Sequence, residues 1–407
     1  MKRTSRKGTK FILLVGDGMA DYPIAELGGK TPLEAAHTPN MDRIAGCRTG
    51  RVETIPAGMD PGSDVANLSL LGYDPSVYHT GRAPFEAASM GVSLSPSDVA
   101  FRLNLVTLDH RSDHEILMVS HSSGDITTKE AVKIINSLRE QLILPGIHIY
   151  PGVAYRHLLV WENGPEEAAT IPPHDVLDQN MEKYLNGEKQ DPVVDFIRRS
   201  WEYLQNHPVN VERKSRGLLP GNSAWLWGQG KALDMPSFKD RFGLTGGVIS
   251  AVDLLKGIGA YAGLEPIRVE GATGYLDTNY SGKAEEAIRA LEHLDFMFVH
   301  VEAPDEASHS GNVREKIQAI EAFDRKVVGA VLKGLEKFDD YRVMVASDHF
   351  TPISIKTHAM DPAPFAWASK EELSSNASKR GFTEKNAMES GILYRKGYKL
   401  MPAFLAE

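Results

Sequence analysis

The sequence predicts an α/β protein: a mostly parallel sheet sandwiched by helices, with a smaller α+β domain inserted. Three observations carry this. Phe11-Ile12-Leu13-Leu14-Val15, Phe296–Val301 and Tyr341-Arg342-Val343-Met344-Val345-Ala346 are continuous rather than alternating apolar runs, as strands buried on both faces read. Helical segments separate them, one rich in Ala, Glu and Arg before 296 and an amphipathic one over 328–335, and strand–helix alternation implies βαβ units. Between about 101 and 208 that rhythm breaks.

In chain order, residues 2–7 are basic like a signal n-region. The apolar run that follows, 11–15, is too short for an h-region, so a frayed end is expected rather than an address. The first strand stops at Gly16-Asp17-Gly18. Apolar residues at 65, 68 and 71 suggest a helix beginning near Ser63. In the middle, 106–108, 115–119 and 157–161 read as short strands, and 127–142 and 191–205 as helices. The second helix opens with Asp191-Pro192, an N-cap followed by a first-turn proline. Pro172-Pro173 and Gly187 mark loops. The expected division is a catalytic domain of 1–100 with 209–407, and an inserted α+β domain of 101–208. Gly257-Ile258-Gly259-Ala260-Tyr261-Ala262 mimics a dinucleotide fingerprint but lies within a helical stretch, not between a strand and a helix start.

The chain has 407 residues, 42% hydrophobic and 24% charged, an ordinary globular composition for two or three domains. Disordered, collagen-like and disulfide-stapled classes are excluded. Lys and Arg number 45 and Asp and Glu 54, a net charge of −9, which argues against a nucleic-acid partner. Cys47 is the single cysteine, with no base partner in view; no internal disulfide is available, which fits a reducing cytoplasm. No apolar stretch approaches the ~18 residues of a membrane span.

Four places carry chemistry. Asp17 directly follows the first strand, where open α/β sheets collect ligands; a plain turn residue is the alternative. Ser63 at a helix start is either an N-cap or a nucleophile, since a helix N-terminus favours an alkoxide or phosphoserine. Asp305 and His309 are four apart after a strand, one hard oxygen and one imidazole on one helical face; an acidic first turn is the alternative. Asp348-His349 ends another strand, with His358 nine residues on. A carboxylate and an imidazole are costly to bury there unless they bind something or each other. Together these are three carboxylates, three imidazoles and one hydroxyl, enough for two metal ions that clamp a phosphoryl transfer.

The order of these residues resembles the alkaline phosphatase superfamily, and more narrowly the archaeal-type cofactor-independent phosphoglycerate mutases. The likeness runs over nearly the whole chain. It is carried by Gly16-Asp17-Gly18-Met19-Ala20-Asp21, Thr31-Pro32-Leu33-Glu34-Ala35-Ala36, Thr38-Pro39-Asn40-Met41-Asp42, Gly62-Ser63-Asp64, Gly72-Tyr73-Asp74-Pro75, Gly271-Ala272-Thr273-Gly274 and Asp348-His349. Asn222-Ser223-Ala224-Trp225-Leu226-Trp227-Gly228-Gln229-Gly230 and Glu302-Ala303-Pro304-Asp305-Glu306-Ala307 look closest to a bacterial branch labelled proposed homoserine kinase. The resemblance implies that Ser63 is the phosphorylated nucleophile. It also implies that Asp17, Ser63, Asp348 and His349 hold one metal, and Asp305, His309 and His358 the other. Mn, Mg, Zn and Co all suit such mixed oxygen and imidazole ligands, and no 2,3-bisphosphoglycerate is implied. Ser347 stands where many relatives have Gly.

Substrate anions favour forked Arg contacts. Arg213 and Arg216, where the chain returns from the insertion, are candidates, as are Arg156 and His157 within it; surface basics are the alternative. The leading expectation is interconversion of 3-phosphoglycerate and 2-phosphoglycerate through phosphoserine, the insertion acting as a lid hinged near 100 and 210. The expected partner is a small phosphorylated metabolite, with no nucleic acid or membrane and with oligomerisation open. The rivals are a homoserine kinase using ATP, a metal-dependent phosphatase, and a non-catalytic metal- or anion-binding module.

Overall fold

The computed structural model describes residues 8–112, 114–142, 144–186, 191–375 and 380–406. The basic start at 2–7 and the loop marker Gly187 lie outside the described residues. Thirteen strands are found among the described residues: β1 (Thr9–Gly16), β2 (Thr49–Val52), β3 (Asp98–Ser112), β4 (Glu115–Ser120), β5 (Ile147–Tyr150), β6 (Arg156–Glu162), β7 (Ser223–Lys231), β8 (Gly246–Ile249), β9 (Glu265–Pro266), β10 (Phe296–Val301), β11 (Asp340–Ala346), β12 (Ala363–Ser369) and β13 (Leu393–Tyr394).

The chain forms two compact units, Met1–His79 with Met235–Glu407, and Thr80–Asp234. In the first, the described strands make one sheet of order β13-β2-β12-β11-β1-β10-β8-β9. β1 runs parallel to both β10 and β11, with Val15 opposite His300 on one side and Ala346 on the other. Only the β11–β12 and β12–β2 pairs are antiparallel. Phe11, Ile12, Leu13, Leu14 and Val15 are all fully buried, each contributing roughly 1.5–3 kcal/mol by burial. Three adjacent parallel strands therefore deliver their carboxyl ends to one place, the point from which Asp17, Asp305 and Asp348 leave the sheet.

The second unit is built on the 15-residue β3, which pairs antiparallel with β4, β6 and β7. The helix Thr128–Gln141 opens with a capping box of Thr127 and Glu130. The helix Pro192–Leu204 opens as its sequence predicts, the Asp191 side chain accepting from the Val193 amide. This unit is wider than the expected 101–208. The reason is β7, which lies outside that range yet pairs along β3 from Val99 to Val106. Trp225 of β7 is fully buried in the unit's core, its Nε1–H donating to the Ile171 carbonyl at 2.8 Å. The decoy glycines at 257 and 259 lie inside the helix Asp253–Tyr261.

Candidate active site

The turn after β1 is shaped by Gly18, whose φ is +57°, a left-handed conformation that side chains strain. A Cβ there would stand 2.5 Å from both Asp305 Oδ1 and Thr351 Oγ1. The Gly18 amide instead donates to Asp348 Oδ1 at 3.0 Å. Asp17 is fully buried, and among the described residues neither of its carboxylate oxygens makes a hydrogen bond of good geometry. Burial, then the neighbouring Asp348, Asp305 and Glu302 carboxylates, push the Asp17 carboxyl well above its ordinary range.

At the end of β11, Asp348 and His349 are also fully buried. Asn67 donates to Asp348 Oδ2 at 2.9 Å and Thr54 to the Asp348 carbonyl at 2.6 Å. Ser347, the departure from Gly, has a task of its own: its hydroxyl donates to the His349 carbonyl at 2.9 Å and accepts from the Ala20 amide at 3.3 Å. His349 Nε2 lies 3.4 Å from Asp17 Oδ1 and 3.5 Å from Asp348 Oδ2.

The short helix Ala303–His309 sets Asp305 and His309 one turn apart, Oδ2 to Nε2 at 3.0 Å. His358 joins them, its Nε2 3.2 Å from His309 Nε2 and 3.6 Å from Asp305 Oδ1. The Nδ1 of His309 faces the Lys356 carbonyl at 2.9 Å, and that of His358 faces the Pro61 carbonyl at 3.3 Å. A carbonyl only accepts, so both Nδ1 atoms carry hydrogen. In the neutral rings, the Nε2 lone pairs then point toward Asp305, the arrangement of metal-ligating histidines. Burial raises the Asp305 carboxyl, but the bonds from His309 and His358 override it and hold the group well below its usual range. His309 is pushed up to about 9 by its bond to Asp305.

Ser63 is not a cap. Gly62 occupies the N-cap and Ser63 is the first residue of the helix Ser63–Leu70. Its Oγ lies 3.2 Å from His349 Nε2. All seven expected catalytic and metal-ligating residues belong to the first unit. The ligand atoms of three groups lie within 4.8 Å of one another: Asp305, His309 and His358; Asp17, Asp305 and His349; and Asp17, His300 and Asp348. Crowded buried carboxylates facing imidazole lone pairs, with the Asp17 oxygens left without a good hydrogen bond among the described residues, fit divalent cations.

His300 is the residue that sequence reasoning missed. It is fully buried on β10, with Nε2 3.0 Å from Asp17 Oδ2 and Nδ1 3.4 Å from Ser250 Oγ; burial pushes it down to about 4. A polar residue inside the apolar run 296–301 was its signal.

The four insertion residues are not gathered in this way. Arg213 is buried and bonded to Glu130 Oε2 (2.8 Å) and to the carbonyls of Ser123 (2.8 Å) and Leu219 (2.9 Å). Arg216 is exposed, 3.9 Å from Glu130 and from Glu212. His157 is buried, its Nδ1 accepting from the Gly152 amide at 2.9 Å. Arg156 is exposed, over the Tyr155 ring at 5.7 Å. Arg102 is close enough to Arg156 to feel its charge, and Arg82 stands beside Arg102. Arg102 lies 4.2 Å over the Trp227 ring and 3.0 Å from Glu86, and Arg82 shares that carboxylate at 3.4 Å. Burial first, then Arg82, pushes Arg102 down to about 10.

The family described as 2,3-bisphosphoglycerate-independent phosphoglycerate mutase matches residues 45–210. A protein of that name from Methanosarcina barkeri is 50% identical over 387 residues, covering 94% of this chain and 96% of its own. One from Methanothrix thermoacetophila is 47% identical over 400 residues, 98% and 100% of the two chains. A solved structure from Pyrococcus horikoshii superposes with a TM-score of 0.81 at 29% identity, covering 98% of this chain and 97% of that one.

Proposed function

The chain belongs to the 2,3-bisphosphoglycerate-independent phosphoglycerate mutase family, and we propose that it interconverts 3-phosphoglycerate and 2-phosphoglycerate by passing the phosphoryl group through Ser63. The observation that carries this reading is Ser63 Oγ at a helix N-terminus, 3.2 Å from His349 Nε2 and beside the buried ligand set. Asp17, Ser63, Asp348 and His349 would hold one divalent cation, supported by His300, and Asp305, His309 and His358 a second. When bound, such cations stabilise a serine alkoxide and neutralise charge on the phosphoryl oxygens.

The chain's own part is positional. The first turn of the helix Ser63–Leu70 offers backbone N–H groups and a positive dipole end to the phosphoryl group. In the forward half-reaction the bond between phosphorus and the C3 oxygen breaks as the bond to Ser63 Oγ forms. The Ser63 proton ends on the C3 oxygen. The second half reverses this on the C2 oxygen, so glycerate is neither gained nor lost and no second phosphate donor is consumed. For the substrate's anionic groups, the exposed Arg156 is a better candidate than Arg213, whose guanidinium is already bonded.

The names of the relatives favour this reading over the homoserine kinase and phosphatase alternatives. Among the described residues no helix is long and apolar enough to cross a membrane. The test is a paired assay on one preparation with Mn²⁺ and an EDTA control. One arm couples 2-phosphoglycerate formation to enolase; the other supplies ATP and L-homoserine. Metal-dependent turnover confined to the first arm supports the mutase, and turnover confined to the second replaces the substrate.

A further inference from the structure

Thr351 is fully buried and bonded to a residue of each proposed cation group. Its Oγ1 lies 2.6 Å from Asp305 Oδ1 and 3.0 Å from His349 Nδ1. Asp305, facing His309 and His358, is an ionised carboxylate and only accepts, so the one hydroxyl hydrogen of Thr351 goes to it. Oγ1 must then accept at its other contact, which places the hydrogen of His349 on Nδ1. That tautomer leaves the lone pair on Nε2, the nitrogen facing Ser63 Oγ and Asp17 Oδ1.

Thr351 is itself held fast. Its amide donates to the Ala20 carbonyl at 3.1 Å. Its carbonyl accepts from Lys316 Nζ at 3.0 Å, and Lys316, also fully buried, donates to Asp21 Oδ2 at 2.8 Å. Ala20 and Asp21 sit in the loop that begins with Asp17, so the hydroxyl is fixed relative to ligands from all three parallel strands.

We infer that Thr351 is the positioning residue that joins the two cation sites: one hydroxyl sets the tautomer of His349 in the first and orients the Asp305 carboxylate in the second. This rests on the two-cation reading above. Outer-shell partners of this kind typically change metal affinity 10–100-fold when removed.

The test compares wild type, Thr351→Val and Thr351→Ser in the full chain freed of metal and titrated with Mn²⁺ by calorimetry. Valine keeps the shape and removes both bonds, and serine keeps both. The expected result is that valine weakens both binding events by ~10–100-fold while serine restores them. Wild-type affinity in the valine variant, loss at only one site, or failure of serine to rescue would overturn the inference. A second measurement needs no variant: ¹⁵N-histidine NMR of the wild type, where His349 is expected as the Nδ1–H tautomer and an Nε2–H signal would overturn the assignment. Should wild type bind fewer than two ions, the two-cation reading falls, and the tautomer still decides the role of Thr351.

Discussion

Ser63 Oγ stands 3.2 Å from His349 Nε2, and the helix it begins is capped not by its hydroxyl but by Gly62. The hydroxyl is thereby left to face the ligand set.

Ser63→Ala is therefore expected to keep the fold and lose phosphoryl transfer, by on the order of 10⁴-fold or more, as removal of a nucleophile does. The check is the enolase-coupled rate beside far-UV circular dichroism. An unchanged rate in a folded variant would exclude phosphoserine.

Gly18→Ala tests how closely the loops approach. The added methyl meets Asp305 Oδ1 and Thr351 Oγ1 at 2.5 Å and must adopt φ near +57°. Strain of about 1–3 kcal/mol is expected, together with weakened Mn²⁺ affinity. Thermal unfolding and calorimetry read the two effects separately, and a variant with native affinity would show that the loop yields.

Metal binding is expected to release protons. In the metal-free protein His309 is pushed up to about 9 by Asp305, so near pH 7.5 it holds a proton that a cation must displace. The raised value fixes the sign: apparent affinity climbs with pH and levels off once His309 is neutral. Calorimetry in two buffers of different ionisation enthalpy measures the release. Equal heats in both would mean His309 is already neutral.

Much of this was legible in the sequence, for a physical reason. Strands buried on both faces read as continuous apolar runs, and Asp17 and Asp348 stand directly after two of them, so residue type and position coincided. β7 and β12 were missed because their composition contradicts their structure: Gly228 and Gly230 interrupt one, and Pro364 sits inside the other. Pairing with β3, and with β11 and β2, decided what local propensity did not. Missing β7 drew the insertion too narrow. A buried, internally bonded guanidinium such as that of Arg213 and a ligand-binding one look the same in a sequence. His300 was passed over, although a lone imidazole inside an otherwise apolar buried strand is itself a signal.

The second unit carries its own pH signature through His157. Burial pushes it down to about 3 from an ordinary 6.5. Between those values the unfolded chain binds a proton that the folded chain does not, so stability falls as pH drops below 6.5 and is unaffected well above it. The loss attributable to this one group approaches ~1.4 kcal/mol per pH unit. Comparing wild type with His157→Gln by denaturant unfolding cancels the constant packing difference. Between pH 7 and pH 5, wild type is expected to lose about 2 kcal/mol more than the variant. Parallel stability profiles would mean that His157 is protonated in the fold as readily as outside it.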